Sequence, residues 1–307
     1  MPVKYIEVAK EDDGQRLDNY LIKTFKGVPK SRIYKSIRSG EVRINKKRCK
    51  AETRLTAGDE LRLPPLRVAA QSEQVLPTHK WRMILENAVV HEDDNLLVLN
   101  KPAGIAVHGG SGLAFGLVEL LQALKPAWQT VELVHRLDRE TSGILLLAKK
   151  RSILKYLHEK LRLGEVEKRY QAIVKGYWLD APRTISLPLL RYQMPNGERM
   201  VKVSEEGKTA ATIFTPVQHV GHRLTVVEAE LLTGRTHQIR VHAKSCGHPI
   251  VGDQKYGDTQ LNAEAKAAGF AGMFLHAKYV RVRLPEGELV LEAKVPKAFE
   301  LFLEAQA

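Results

Sequence analysis

The order of strand-like and helix-like patterns in the second part of the chain constrains its fold more than any other feature. From about residue 86 onward the two patterns mix without the regular strand–helix–strand rhythm of a doubly wound parallel sheet. The strand candidates are residues 96–99, 143–148, 170–174, 223–231 and 279–284, and the helix candidates are 113–124 and 152–163. The pattern predicts an α+β domain over residues 86–307, with a largely antiparallel mixed sheet flanked by helices and loops.

A smaller unit precedes this domain. Apolar residues recur at helical spacing from Leu17 to Phe25, and a second helix with a basic face follows over residues 30–38, with Gly40 suited to end it. Short alternating strands come next, so residues 13–66 are predicted to form a small α+β domain. The polar stretch 67–85 lacks periodic pattern and contains Pro77, which predicts a linker.

Positive charge dominates the composition. Lys and Arg number 48 against 35 Asp and Glu, a formal charge of +13, which predicts a polyanionic partner. RNA, DNA and an anionic membrane surface all stay open on this ground alone. The cations concentrate in the first domain with only Glu41 among them, and we expect them to bind nucleic-acid phosphates. They are Lys30, Arg32, Lys35, Arg38, Arg43, Lys46 and Lys47.

Several classes of protein are disfavoured. The longest apolar stretches are much shorter than the roughly 20 residues that cross a bilayer, and the start lacks a signal-peptide pattern, so we expect a cytoplasmic protein. The 2 cysteines, Cys49 and Cys246, provide neither a disulfide framework nor a four-cysteine zinc site. Nucleotide-binding glycine fingerprints are absent, and the glycines of 108–112 read as a loop. We therefore expect no cofactor and no metal, and take a monomer as the default.

Titratable residues gather in two segments beside apolar strands, 135–143 and 233–242. An Arg from the second segment paired with Asp138 would keep that carboxylate ionised and oriented. A purely structural ion pair, a zinc site at His237 and His242 and a serine triad built on Ser142 are the alternatives, although the spacing of the last two is poor. From the residues alone, the sequence indicates a basic protein that favours RNA as its partner and has an Asp and Arg site.

The segment His135-Arg136-Leu137-Asp138-x-x-Thr141-Ser142-Gly143 resembles the signature of the RluA-type pseudouridine synthases. Further segments agree in order: 100–104, 168–170, 234–242 and 274–277. Residues 15–21, 28–31 and 40–45 resemble the S4 RNA-binding domain. The resemblance implies the pseudouridine synthase fold, with a small S4-like domain in front.

This resemblance also implies an activity and the residues that carry it. Asp138 matches the nucleophile of uridine isomerisation, Tyr170 the active-site tyrosine and Arg240 the basic partner of the aspartate. Contacts with the substrate are expected from Arg136, Leu275, His135 and Arg235, with Arg136 filling the space of a flipped uridine. The carboxylate can act on ribose C1′, on a ribose proton or on C6 of the base, and all three routes stay open. The reaction is redox-neutral, so neither a metal nor a cofactor is required.

The substrate is the less determined part of this hypothesis. The domain combination favours the family members that act on 23S ribosomal RNA, free or in an assembling large subunit. Transfer RNA or another ribosomal site is the alternative within the same chemistry. A non-catalytic RNA-binding protein of ribosome assembly is the rival without chemistry, and a metal-dependent nuclease or an RNA deaminase would need carboxylate or His/Cys clusters that the sequence lacks.

Overall fold

The structure is a computed structural model, and it describes residues 3–25, 28, 30–65, 79–109 and 116–306. The chain divides into two compact units, residues 1–75 and 76–307. Most of the predicted linker, 67–85, lies outside the described residues. Its final part, residues 79–85, is helical and belongs to the helix His79–Asn87.

In the described part of the first unit, two α-helices pack against a small sheet, and a short 3-10 helix (Lys10–Asp12) follows the first strand. The helices are α1 (Leu17–Thr24) and α2 (Lys30–Arg38), and the strands are β1 (Lys4–Glu7), β2 (Arg43–Ile44), β3 (Lys47–Arg48) and β4 (Glu60–Leu63). The strands pair antiparallel in the order β1-β4-β2-β3. Leu17, Leu21, Ile33 and Ile37 are buried in one apolar cluster with the strands. The α+β character predicted for this unit is confirmed.

The second unit is larger. Its helices are α3 (His79–Asn87), α4 (Leu117–Leu124), α5 (Arg151–Leu163), α6 (Gln238–Ser245), α7 (Thr259–Ala267) and α8 (Lys297–Glu304). Its strands are β5 (Val89–Glu92), β6 (Leu96–Lys101), β7 (Glu132–Leu133), β8 (Ser142–Ala148), β9 (Val166–Lys175), β10 (Arg183–Ser186), β11 (Leu189–Gln193), β12 (Arg199–Val203), β13 (Ala211–Val220), β14 (Leu224–Leu231), β15 (Leu275–Leu284) and β16 (Gly287–Glu292).

One large sheet organises this unit. Its main path runs β10-β13-β14-β9-β15-β8-β6-β5, while β16 pairs with β15 and β7 pairs with β8. Among the described strands of this sheet, β8 and β15 form the single parallel pair. Strands β11 and β12 make a separate antiparallel hairpin. The prediction of a largely antiparallel mixed sheet is confirmed.

Helices cover the sheet through two apolar clusters. Helix α5 packs Leu154 and Leu157 against residues of β6 and β8, such as Val98. Helix α8 packs Phe299 and Phe302 against residues of β9 and β14. Burial of these side chains stabilises the fold by about 1.5–3 kcal/mol each. None of the helices in the described ranges has both the length and the apolar character that a membrane crossing requires.

The parallel join between β8 and β15 depends on a glycine. Gly143 has φ +111°, and a Cβ atom at this position would lie 2.3 Å from the carbonyl oxygen of Ala277. The preceding Ser142 donates its hydroxyl hydrogen to Nδ1 of the buried His276 at 2.9 Å, while His276 Nε2 donates to the Ala293 carbonyl at 3.3 Å. Burial lowers the pKa of His276 to about 4, so the ring is neutral. Gly143 and the Ser142–His276 hydrogen bond therefore fix the start of β8 against β15.

Candidate active site

A pocket of about 710 Å³ opens beside this join. Its walls come from the loop before β8, from β9, from the loop and first turn of α6, and from the start of β15. All seven residues predicted from the resemblance to be catalytic or to bind substrate line it. They are Asp138, Tyr170, Arg240, Arg136, Leu275, His135 and Arg235. Residues far apart in sequence thus meet around one cavity.

Asp138 lies in the loop that leads into β8. Its side chain is 19% exposed, and its Oδ2 accepts a hydrogen bond from Arg240 Nη1 at 2.9 Å. Oδ1 accepts no hydrogen bond from any residue within the described ranges. One oxygen is therefore held in place and the other is available to a substrate.

Arg240 is positioned from behind by a second carboxylate. Its Nε and Nη2 donate to Asp253 Oδ2 and Oδ1 at 2.7 and 2.8 Å. Asp253 is fully buried, and its Oδ1 also accepts the backbone N–H groups of Lys255 and Tyr256. Burial opposes both charges, but the pair lowers the pKa of Asp253 and raises that of Arg240. The guanidinium is fixed by two parallel charge-assisted bonds.

His237 faces the same carboxylate from the start of α6. Its Nε2 lies 3.8 Å from Asp138 Oδ2, and its Nδ1 is 2.8 Å from the Tyr256 hydroxyl. That hydroxyl accepts the Val201 N–H, so its own hydrogen is free to bond Nδ1. Burial lowers the pKa of His237 to about 4. The residue has φ +53°, a strained conformation that is concentrated at functional sites.

Tyr170 and Leu275 form apolar walls of the pocket. Tyr170 is 7% exposed and Leu275 is 3% exposed. Burial raises the pKa of Tyr170, and the charge of Asp138 raises it further, so the phenol stays protonated at neutral pH. The two side chains suit a flat, uncharged ring such as a base.

The loop that carries Asp138 is held by Lys101. This side chain is fully buried at the end of β6, where its Nζ donates to the carbonyls of Pro102, Ile105 and Arg139 at 2.9, 3.0 and 3.1 Å. Burial lowers the pKa of Lys101 to about 8. The backbone of Gly104 also donates to Arg139 at 2.9 Å. These bonds position the residue directly after Asp138.

Comparison with known proteins identifies the family of this chain. Residues 95–245 match the family RNA pseudouridylate synthase, and residues 15–61 match the S4 domain. The chain is 47% identical to Ribosomal large subunit pseudouridine synthase C of Salmonella typhimurium, over 98% of this chain and 96% of that protein. The chain belongs to the RNA pseudouridine synthase family. This confirms the resemblance of the sequence motifs.

Other members agree. The protein of the same name from Haemophilus influenzae is 49% identical over 92% of this chain and 88% of that protein. The solved structure of Human RNA Pseudouridylate Synthase Domain Containing 4 has a TM-score of 0.60 and 27% identity, and it covers 73% of this chain and 94% of that chain. The pseudouridine synthase fold and the RNA-binding domain predicted from the sequence are therefore established.

The structure also shows the surroundings of the residues that the sequence offered for a serine triad and for a zinc site. Ser142 bonds His276 rather than His135, so the serine triad is wrong. His242 is fully buried and pairs with Thr212 and with the Leu187 carbonyl, which gives it a structural role. His135 lines the pocket, yet its Nε2 accepts the Leu146 N–H, and burial lowers its pKa to about 3. Its ring is neutral, and one of its two nitrogens is already hydrogen-bonded to the backbone of β8.

The cations predicted in the first unit are mostly exposed. The exposed ones are Lys35, Arg38, Arg43, Lys46 and Lys47. Arg32 is half-buried and ion-paired with Glu41 at 2.9 Å, and the side chain of Lys30 lies outside the described residues. The exposed members remain candidates for phosphate contacts.

Sequence reasoning missed the supporting residues Lys101, Tyr256 and Asp253. A lysine at the end of an apolar strand and an aspartate directly after Gly252 were the available signals, since both place a charge beside buried positions. Neither signal identifies the partner, because the bonds join segments that are distant along the chain.

Proposed function

We propose that this chain converts uridines to pseudouridines in 23S ribosomal RNA, with Asp138 as the nucleophile. The observation that carries the proposal is the half-bound carboxylate: Asp138 is the single acid among the described residues that line the pocket, and only its Oδ2 is taken, by Arg240. The names of the bacterial relatives support a large-subunit ribosomal substrate.

The isomerisation breaks the bond between ribose C1′ and N1 of uracil and forms a bond between C1′ and C5. The C5 proton is lost and N1 gains a proton, so atoms and charge balance without an oxidant or a metal. Asp138 acts through its open Oδ1, either as a nucleophile at C1′ or at C6 of the base, or as a base that takes a ribose proton. Arg240 keeps the carboxylate ionised and oriented.

The pocket walls receive the uridine after it leaves the RNA stack. Tyr170 stacks on the uracil ring and Leu275 packs on it. Arg136 is exposed beside Asp138, and its guanidinium makes no hydrogen bond to any described residue, so this side chain is free to fill the space that the uridine leaves. His135 and Arg235 border the entering nucleotide.

The first unit supplies RNA affinity. Its S4 domain carries exposed cations that contact phosphates without reading sequence, and these contacts bring the RNA to the pocket. We further propose that the enzyme acts as a cytoplasmic monomer, on free 23S ribosomal RNA or on an assembling large subunit.

The test maps pseudouridine in unmodified 23S ribosomal RNA by carbodiimide labelling and primer extension. We compare the wild type with Asp138→Asn and with Asp94→Asn, which removes an exposed carboxylate outside the pocket. Primer-extension stops are expected with the wild type and Asp94→Asn and not with Asp138→Asn.

Stops with Asp138→Asn would refute the nucleophile. The absence of stops with every protein, on the transcript and on large-subunit particles from cells that lack the gene, would refute the ribosomal substrate. Transfer RNA in the same assay would then decide between another substrate and a protein that only binds RNA.

A further inference from the structure

An unpaired ammonium group lies in the wall of the pocket. Lys168 belongs to β9, two residues before Tyr170, and it lines the cavity that Asp138 and Arg240 line. Within the part of the chain that the structure describes, its Nζ makes neither a hydrogen bond nor an ion pair. The adjacent Arg169, by contrast, is paired with Glu167. Lys168 thus differs from its neighbour in having no internal counter-charge.

The ammonium of Lys168 lies beside the loop that precedes α6. A Cβ atom on Gly234 would lie 3.8 Å from Lys168 Nζ, so the ammonium lies beside this loop. Burial lowers the pKa of Lys168, and no carboxylate counters the effect. Its positive charge also lowers the pKa of His135, after burial. The cation is therefore partly desolvated at the pocket wall.

Such a cation needs an anion from outside the protein. Taking an ammonium out of water without a partner is unfavourable, and proteins rarely retain one unless it has a role. Six Lys and Arg side chains line the pocket in the described ranges: Arg136, Arg162, Lys168, Arg191, Arg235 and Arg240. Asp138 is the single acid there and is bonded to Arg240, which also pairs with Asp253, while Arg162 pairs with Glu159. Among the described residues, none of these acids pairs with Lys168. An anionic ligand would restore the balance.

We propose that Lys168 binds a backbone phosphate of the nucleotide that enters the pocket, and that this contact places the ribose against Asp138. The inference rests on the proposed function. Residues two apart on a strand have side chains on the same face, about 7 Å apart, so a base stacked on Tyr170 has its own sugar-phosphate within reach of Lys168. A uracil ring is neutral and would not balance the charge.

The proposal predicts an unusual pair of effects for Lys168→Met. Loss of an unpaired, partly buried charge should raise the melting temperature, while RNA binding becomes weaker. A lysine that served only to stabilise the fold would lower the melting temperature instead. Lys168→Arg keeps the charge, and Lys266→Met removes an exposed lysine outside the pocket as the matched control.

The decisive measurement is the salt dependence of binding to an RNA fragment that contains a uridine modified by the wild type. The slope of log K against log salt should be smaller by about 0.7 for Lys168→Met, which corresponds to one lost phosphate contact on a single strand. Lys168→Arg and Lys266→Met should keep the slope of the wild type.

A fragment with a neutral methylphosphonate beside the target uridine completes the test. For the wild type, the loss of affinity caused by the methylphosphonate should equal the loss that Lys168→Met causes on unmodified RNA. Lys168→Met should bind the methylphosphonate fragment and the unmodified fragment equally well. The proposal would be overturned by an unchanged salt slope for Lys168→Met. It would also be overturned if the affinity losses from the substitution and from the methylphosphonate were additive. If the wild type modifies no uridine in ribosomal or transfer RNA, the proposed function fails. Salt slopes measured on any single-stranded fragment of 23S ribosomal RNA that the wild type binds would then still report whether Lys168 contacts phosphate.

Discussion

Asp253→Asn tests whether Arg240 is held by a buried carboxylate behind the site. Asp253 accepts four hydrogen bonds, two from Arg240 at 2.7 and 2.8 Å and two from backbone N–H groups at 2.9 and 3.1 Å. An asparagine oxygen can still face the backbone donors, but its amide group then points N–H bonds at Arg240 Nε. The guanidinium loses a charge-assisted bond and keeps one carboxylate, Asp138, instead of two.

The magnitude follows from burial. Asp253 is fully buried and the Arg240 side chain is 7% exposed, so the variant leaves a buried charge partly unpaired, which costs about 3–5 kcal/mol. In a unit of this size about 1 kcal/mol shifts the melting temperature by 2–4 °C, so we expect a decrease on the order of 10 °C. Asp138→Asn removes one partly exposed bond and should cost no more than about 2 kcal/mol.

Thermal and urea unfolding of the three proteins, together with single-turnover pseudouridine formation, make up the assay. Asp138→Asn should lose activity with a small loss of stability, while Asp253→Asn should lose much stability. The folded-state pKa of Asp253 is lowered, so its contribution is present above its ordinary pKa of about 4 and is lost as the pH falls further. The stability gap to the wild type should therefore shrink below about pH 4. Equal stability at pH 7 would refute the reasoning.

Two further predictions concern the parallel pairing of β8 with β15 and the histidine beside Asp138. Gly143→Ala should reduce the yield of folded protein severely, because φ is +111° and the new Cβ would lie 2.3 Å from the Ala277 oxygen. A melting temperature within 2–3 °C of the wild type, which corresponds to a shift of about 1 kcal/mol, would contradict this prediction. Tyr256→Phe should lower the single-turnover rate with little change in RNA affinity, because His237 Nδ1 loses its hydrogen-bond partner at 2.8 Å. NMR of the His237 ring should report the altered tautomer. An unchanged ring spectrum would argue against the contact.

The sequence predicted those elements whose burial is visible locally. Strand β8 was predicted at 143–148 and runs over Ser142–Ala148, where every side chain is buried. Helix α5 was predicted at 152–163 and runs over Arg151–Leu163. Continuous apolar or helical periodicity identifies such elements without knowledge of their neighbours.

Other elements depend on distant partners and were not predicted. Strand β1 is mostly exposed, and it exists as a strand through its pairing with β4. Strand β10 likewise pairs with β13 and has a single buried residue, Ile185. The helix predicted at 113–124 begins at Leu117, with Gly116 before it, and residues 113–115 lie outside the described ranges. Local patterns carry little information about such boundaries.

The candidate site shows the same division. The motifs located Asp138, Tyr170 and Arg240, which the structure brings to one pocket, and their catalytic roles stay predictions. Asp253 and Lys101 were missed because each acts through a partner elsewhere in the chain, Arg240 and the carbonyl of Arg139. Hydrogen-bond partners of this kind follow from the tertiary fold rather than from spacing.

The charges of the site explain how Asp138 can be both oriented and reactive. If Arg240 paired with Asp138 alone, the ion pair would neutralise the charge of the carboxylate that we propose as the nucleophile. Asp253 instead takes two of the guanidinium N–H bonds, so the row of two carboxylates and one arginine keeps a net negative charge next to the pocket. Lys168 places a positive charge on another part of the wall. Under the proposed function and the proposed phosphate contact, this arrangement orients the nucleotide with its sugar towards Asp138 and its phosphate towards Lys168.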